Sequence, residues 1–344
     1  MWLRVYRSKN IGPISFYSIY KRYKSPQDAL NFLATKKVEV PSEQSIDDEV
    51  EKTYRFGAKI ISFQDDEYPE RLRQCPDAPV FLIAKGNLSL LKRKCIAIVG
   101  SRNSSLHGNK IAADLAKGLE SSGCTIVSGM ARGIDRQAHI GGMKSTIAVM
   151  ANGIDQIYPS ENKDIYNSII EQGLVVTESR IGTPPATHLF PGRNRIVAGL
   201  SIGTVVVEGT KYSGSLITAN CALEYNRDVY CVPGSPLDPR SYGPNKLIQN
   251  GAYLIQSYED ILKQTNMIAQ NPVETYETPP ISDTNPMNLA DEILGILSTV
   301  PTDIDELYSN LSCSMSSLKQ ALVEMELEGH IKHCAGNKVV RTTV

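Results

Sequence analysis

The 344-residue sequence has no long hydrophobic run, no paired-cysteine motif and no excess of charge of one sign. Apolar runs such as 147–150 and 205–207 are far shorter than the roughly 20 residues that a membrane-spanning helix needs. No apolar segment follows the charges of the opening MWLRVYRSKN, so we do not expect a secretory signal. The seven cysteines are scattered without a C-x-x-C pair, which argues against a zinc site and a disulfide framework. We therefore expect a cytoplasmic protein with reduced thiols, without a membrane role.

The formal charge of −1 argues at first against a polyanionic partner such as nucleic acid. The charge is unevenly distributed, however. Residues 1–84 carry 13 basic and 12 acidic side chains, residues 85–250 carry 18 and 12, and residues 251–344 carry 5 and 13. The average therefore conceals a basic middle and an acidic tail, and the middle favours an anionic ligand.

Residues 1–84 are predicted to form a small helical domain with a connecting segment. Phe16, Ile19, Tyr20 and Tyr23 recur at helical spacing, and the tight turn 10–13 separates two helical pieces. This pattern is typical of a SAM or helix–hairpin–helix-like domain.

Residues 85–265 alternate between strand and helix. Strands are predicted at 95–99, 125–127, 146–150, 174–177, 204–208 and 229–232, with helices between them. Strands separated by helices indicate βαβ crossovers. We predict an α/β fold with an extended Rossmann-like, doubly wound, mostly parallel sheet.

Residues 266–288 have the Pro-, Asn- and Thr-rich composition of a linker. Beyond them, 289–344 predict three short helices and a β-hairpin, which is a winged-helix domain. Its third helix, 314–328, carries one lysine, Lys319, against three glutamates. Phosphate would be repelled by such a helix, so we expect this domain to contact protein or to pack on a neighbour.

Each of three loops that follow predicted strands contains both glycine and a basic residue. In an open α/β sheet such loops meet at the carboxyl ends of the strands, where helix amino termini offer free N–H groups to phosphate. The predicted phosphate-contacting residues are Gly100, Ser101 and Arg102 in the first loop, Gly129, Arg132 and Gly133 in the second, and Lys211, Ser213, Gly214 and Ser215 in the third.

The segment 182–195 places prolines around Phe190, Arg193, Asn194 and Arg195. Two restrained arginines suit successive backbone phosphates, and an exposed Phe190 suits base stacking. The alternatives are a core role for Phe190 and an internal salt-bridge network for Arg193 and Arg195, and the sequence alone does not decide between them.

Enzyme signatures are sparse. No strand is followed by G-x-G-x-x-G, and G-x-x-x-x-G-K-[ST] is absent, so neither a conventional dinucleotide site nor a P-loop is indicated. Asp135 and Glu178 are more typical of salt-bridge partners than of bases. We expect no catalytic residue, metal or cofactor. The alternative is a Rossmann-like nucleotide hydrolase or transferase that uses Glu178 or Glu208.

The central region resembles the DNA processing protein A family (DprA, also called Smf). The matching blocks are IAIVGSRNSSLHG (96–108), SGMARGIDRQAH (128–139), GTPPATHLFPGRNRIVAGLS (182–201), VVVEGTKYSGSLITANCALE (205–224), CVPGSP (231–236) and YGPNKLIQNGA (242–252). The segment LRVYRSKNIGPISF (3–16) is similar to the family's helical domain. Gly192 and Asn220 depart from the pattern, since each replaces a position that is often basic.

The resemblance implies a non-enzymatic protein that binds single-stranded DNA during natural transformation. It further implies loading of the RecA recombinase, displacement of single-strand binding protein, and a homodimer formed through the Rossmann domains. The family's phosphate-pocket motifs fall on the same loops that the residues themselves indicate.

Overall fold

The computed structural model describes residues 1–265, 289–298, 300–311 and 313–342. They form two compact units, Met1–Asn271 and Pro272–Val344. The predicted linker 266–288 lies outside the described residues. In the part of the chain that is described, no helix is both long enough and apolar enough to cross a membrane.

The first unit begins with four helices, α1 (Trp2–Tyr6), α2 (Pro13–Arg22), α3 (Pro26–Thr35) and α4 (Glu43–Arg55). Pro13 and Pro26 occupy the first helical position, where the missing N–H costs nothing. The side chains of Leu3, Phe16 and Leu33 form a small core between these helices. The predicted helical domain is thus present.

A nine-stranded sheet forms the centre of this unit. The strands are β1 (Lys59–Ser62), β2 (Phe81–Gly86), β3 (Cys95–Val99), β4 (Thr125–Ser128), β5 (Thr146–Val149), β6 (Leu174–Thr177), β7 (Gly203–Val206), β8 (Asp228–Cys231) and β9 (Tyr253–Leu254). Their spatial order is β1-β2-β6-β5-β4-β3-β7-β8-β9. All neighbours from β6 to β9 are parallel, whereas β1 and β2 are antiparallel additions. This confirms the predicted extended Rossmann-like sheet.

Helices cover both faces of the sheet and bury apolar side chains against it. They are α5 (Glu70–Arg73), α6 (Leu106–Ser121), α7 (Ile134–Gly141), α8 (Lys163–Gln172), α9 (Leu189–Leu200), α10 (Gly214–Glu224), α11 (Tyr242–Gln249) and α12 (Tyr258–Gln264).

The structure differs from the sequence prediction at residue 84. That predicted boundary falls inside β2, which pairs with β6 through register partners such as Ile83 and Thr177. Residues 59–84 therefore contribute two strands to the central sheet, in addition to connecting it to the helical domain. The missed pairing joins segments about 90 residues apart, which local patterns do not report.

The second unit is the predicted winged helix, with its own core that includes Ile293, Leu307 and Leu322. Its elements are α13 (Leu289–Ile296), β10 (Thr302–Asp303), α14 (Ile304–Ser309), α15 (Met315–Leu327), β11 (Ile331–Cys334) and β12 (Lys338–Arg341). The three helices and the hairpin β11–β12 are confirmed. The short strand β10, which pairs with β12, was not predicted.

Candidate functional site

The loops that follow β3, β4 and β7 meet at the carboxyl edge of the sheet and enclose a cleft of about 670 Å³. The start of α9 closes a further side of the cleft. The predicted residues that line it are Gly100, Ser101, Arg102, Gly129, Phe190, Arg193, Asn194, Ser213, Gly214 and Ser215. The structure thus brings together most of the residues that the sequence singled out.

Gly133 joins the first loop to the second. It caps α7 with φ of +70°, and a Cβ at this position would lie 2.3 Å from the Ser101 carbonyl oxygen. The next residue, Ile134, donates its N–H to that same carbonyl at 3.2 Å. Only glycine combines this backbone conformation with so close an approach, so Gly133 shapes the cleft without lining it.

Arg102 and Phe190 form the exposed wall of the cleft. The Arg102 guanidinium carbon lies 5.2 Å from the centre of the Phe190 ring, which Tyr158 contacts at 5.8 Å between ring centres. Phe190 is half-buried and lines the cleft, so it is not a core residue. A cation held over an aromatic face offers a charge to phosphate and a flat surface to a base.

Arg193 forms the floor of the cleft and is itself buried. It donates to the carbonyl oxygens of Gly129 and Val149 and to Oδ1 of Asn194. Burial lowers the pKa of Arg193 to about 10. The guanidinium therefore holds the loop after β4, the end of β5 and α9 in one arrangement, and its charge lies just beneath the cleft.

Asp135 is buried close to this arginine. Its carboxylate accepts hydrogen bonds from the backbone N–H groups of Gly129, at 3.1 Å, and Ala131, at 3.3 Å. Burial raises the pKa of Asp135, and the charge of Arg193 opposes that change. These contacts make Asp135 a support for the second loop through its backbone, and not the salt-bridge partner of an arginine that the sequence predicts, since no ion pair of Asp135 is found among the described residues.

The third loop ends in the first turn of α10. Ser213 caps this helix, and its hydroxyl lies 2.7 Å from that of Ser215. The Asn194 side chain donates to the Gly214 carbonyl at 3.2 Å and so ties α9 to this loop. Lys211 lies exposed beside Tyr212, outside the lining of the cleft. It is placed to act at the rim.

Two of the predicted arginines are engaged elsewhere. Arg195 does not line the cleft. It lies largely buried between Glu178 and Asp77, pairing with both. Arg132 lines a smaller adjoining cavity of about 230 Å³ and pairs with Glu161 at the surface. For Arg195 the geometry fits the internal network that the sequence left open.

The carboxylates considered for an enzyme have structural partners. Glu178 binds Arg195, and Glu208 accepts hydrogen bonds from the backbone and the hydroxyl of Ser105 at the start of α6. Neither lines the cleft. Within the described residues, no group of three or more His, Cys, Asp or Glu side chains is arranged to hold a metal ion.

Several residues of the cleft lining were not predicted from the sequence. These are Val99, Asn103, Ala131, Tyr158, Thr187, Pro191, Val197, Thr210, Ile217, Thr218 and Arg240. Arg240 pairs with Asp238 at 2.9 Å. Tyr158 lies in the loop after β5, a fourth strand end, and an aromatic residue before Pro159 at that position was a usable signal.

Comparison with protein families identifies three consecutive matches. Residues 59–266 match DNA recombination-mediator protein A, residues 1–51 match a DprA-like N-terminal HHH domain, and residues 277–337 match a DprA winged-helix domain. Together these matches cover most of the chain.

Individual relatives agree with the families. DNA processing protein DprA of Streptococcus pneumoniae is 46% identical over 207 residues, covering 59% of this chain and 73% of the relative. Protein Smf of Escherichia coli is 35% identical over 289 residues, covering 81% of this chain and 76% of the relative.

Two solved structures are also similar. The X-ray structure of DNA processing protein A from Streptococcus pneumoniae has a TM-score of 0.62 at 40% identity, covering 70% of this chain and 83% of that one. A structure of DNA processing protein A from Helicobacter pylori has a TM-score of 0.57 at 26% identity, covering 61% of this chain and 95% of that one. That structure concerns the single-stranded DNA binding mode of the Helicobacter pylori protein.

Proposed function

The chain belongs to the DNA recombination-mediator protein A family, and from that premise we propose that its cleft binds single-stranded DNA. The observation that carries the proposal is the wall formed by exposed Arg102 and half-buried Phe190 above the buried charge of Arg193. This combination supplies attraction for a phosphate and a face for a base in one cavity. Support also comes from the Helicobacter pylori relative, whose structure concerns single-stranded DNA binding.

The roles of the predicted residues differ by position. Arg102 and Phe190 contact the strand directly. Gly100, Ser101, Gly214 and Ser215 allow its backbone to approach the helix amino termini. Lys211 and Arg132 act at the rim, while Arg193, Asn194, Gly129 and Gly133 hold the loops in place. Arg195 stabilises the scaffold through Glu178.

Sequence preference should be weak. Backbone phosphates carry no sequence information, and stacking accepts every base. The strand is therefore held mainly through charge and stacking, as a protein that handles DNA of any sequence requires.

Removal of one cationic contact tests the cleft. Arg102→Ala and Lys211→Ala should weaken binding to all single-stranded sequences about alike, and each should reduce the salt slope by about one. Lys144→Ala is the matched control, because Lys144 is an exposed cation two residues before β5, at the opposite edge of the sheet. Unchanged binding by a folded double variant would refute the proposed cleft.

The same variants test the proposed role as a recombination mediator. We propose that the bound strand is protected and then transferred to RecA in natural transformation, with displacement of single-strand binding protein. Wild-type protein should accelerate DNA-dependent ATP hydrolysis by RecA on strands coated with single-strand binding protein. Arg102→Ala should lose this effect, and Lys144→Ala should retain it.

The alternative, a nucleotide hydrolase or transferase, gains no specific support, because Glu178 and Glu208 are both engaged outside the cleft. A mononucleotide competition experiment separates the two functions. Under the proposed function, nucleoside monophosphates compete poorly with an oligonucleotide and are not converted. Turnover of a monophosphate would favour the alternative.

We also propose that two copies associate through their Rossmann domains. The edge strand β9 supports this proposal, because Tyr253 and Leu254 are large apolar residues exposed at 42% and 50%. An unpaired strand edge with exposed apolar side chains favours association with a second copy.

A further inference from the structure

A second surface with the character of a nucleic-acid site lies on the helical domain, at the end of α2 and along α3. We call it the α2–α3 patch. It is formed by Arg22, Tyr23, Lys24, Phe32 and Lys36, with the exposed Lys21 and Lys37 next to them in the chain. An open depression of about 690 Å³ runs along it.

The charge of the patch is strongly one-sided. Its five basic side chains are exposed, and among the residues that the structure describes no carboxylate lies within 4 Å of any of them. The acidic residue of the depression, Asp28, is already bonded at 2.7 Å to the Ser25 hydroxyl that caps α3. With five exposed cations and the one carboxylate of Asp28, the patch carries an excess of positive charge, which attracts a polyanion.

Two aromatic rings lie among these cations. Tyr23 and Phe32 are half-buried, with ring centres 5.1 Å apart and planes inclined at 31°. The Arg22 guanidinium lies over both rings, at 5.5 and 5.6 Å, and the Lys36 ammonium lies 5.9 Å from the Phe32 ring. Aromatic rings and guanidinium planes are the surfaces on which unpaired bases stack.

We propose that the α2–α3 patch is a second contact for single-stranded nucleic acid, in which the cations hold phosphates and the cluster of Tyr23, Phe32 and the Arg22 guanidinium receives a base. The aromatic component selects a single strand, because a duplex does not present the faces of its bases. This inference rests on the proposed function for the nature of the strand. It extends that function, since a long strand would engage both the cleft and the patch.

The experiment uses the full chain and two variants. Tyr23→Leu/Phe32→Leu keeps apolar packing but removes the rings, with Tyr54→Leu as the control at an exposed tyrosine of α4. Lys24→Ala/Lys36→Ala removes exposed charges, with Lys52→Ala as its control. Binding is measured with a short oligo-dT that fills the cleft alone, a long oligo-dT and a duplex of the long length.

The ring variant should bind long oligo-dT about tenfold less tightly, with short oligo-dT and duplex unaffected. The charge variant should lower the salt slope for long oligo-dT by about two. An iodouracil-substituted long strand should cross-link to Tyr23 or Phe32. Equal loss for duplex and single strand in the ring variant would overturn the stacking role.

If both patch variants bind long oligo-dT as tightly as their control variants do, the α2–α3 patch is not a contact for the strand. Should the ring variant fail to fold, the charge variant decides, because Lys24 and Lys36 are surface residues. If the patch variants bind DNA less tightly while Arg102→Ala binds as tightly as wild type, the proposed role of the cleft is contradicted and the patch is supported.

Discussion

His139, on α7, is a fully buried histidine near the arginine that forms the cleft floor. Its Nδ1 lies 2.7 Å from the Thr146 hydroxyl oxygen, and that hydroxyl donates to the Ile126 carbonyl. Because the Thr146 hydroxyl already donates its proton to Ile126, His139 donates from Nδ1 in this contact. Burial, and after it the charge of Arg193, lowers the pKa of His139 to about 3.

This shift makes folding sensitive to acid. Because the pKa is lower in the folded chain than in the unfolded one, the stability from neutral His139 is present above about pH 6.5 and is lost as the pH falls toward 3. The free energy of unfolding should drop by about 2 kcal/mol between pH 7 and pH 5 from this group. Urea unfolding of wild type and His139→Gln across that range measures it. A difference between the two proteins that stays constant with pH would contradict the prediction.

Residue positions also explain why the two arginines of 193–195 could not be told apart from sequence. Both belong to α9, which begins at Leu189. Residues two apart on a helix point about 200° away from each other. Arg193 consequently faces the sheet and the cleft floor, while Arg195 faces Asp77 and Glu178. The outcome depended on the rotation of α9, which sequence composition does not specify.

At the scale of elements, the cleft depends on how closely two loops approach through Gly133. Alanine at this position would be strained at φ of +70° and would place its Cβ against the Ser101 carbonyl. Gly133→Ala should therefore lower the free energy of unfolding by about 3 kcal/mol and weaken DNA binding. Gly12→Ala is the matched control, because Gly12 lies outside the cleft lining and nothing lies within 4 Å of a Cβ there. Equal thermal midpoints for these two variants would show that the loop contact is dispensable.

The elements predicted best are those whose signals are local. The strands β3 and β6 were predicted to the residue, because each is a short buried apolar run with an evident end. The three glycine-containing loops were found for the same reason. The strands β1 and β2 were not predicted from the sequence, because their position in the sheet is set by pairing with the distant strand β6. Tyr158 was missed because its loop lacks the glycine-and-cation pattern.

At the scale of the whole molecule, the two units have opposite charge, and this separates their roles. The basic middle of the chain forms the cleft. In the winged helix, α15 and the residue that ends it carry Glu324, Glu326 and Glu328 against Lys319. Winged helices that read DNA usually insert this helix into the major groove. Acidic side chains at that position would repel phosphate, so we expect the domain to contact protein or to pack on a neighbour.

Truncation separates the two units directly. A chain of residues 1–265 should bind oligo-dT as tightly as the full chain and with the same salt slope, because all of the proposed phosphate contacts lie within it. The fragment 289–344 has its own apolar core and should fold without binding DNA at physiological salt. Gel-shift titrations over a salt series measure both expectations, with circular dichroism to confirm folding. Binding by the isolated fragment, or a smaller salt slope for residues 1–265, would place a phosphate contact in the winged helix and contradict the division by charge.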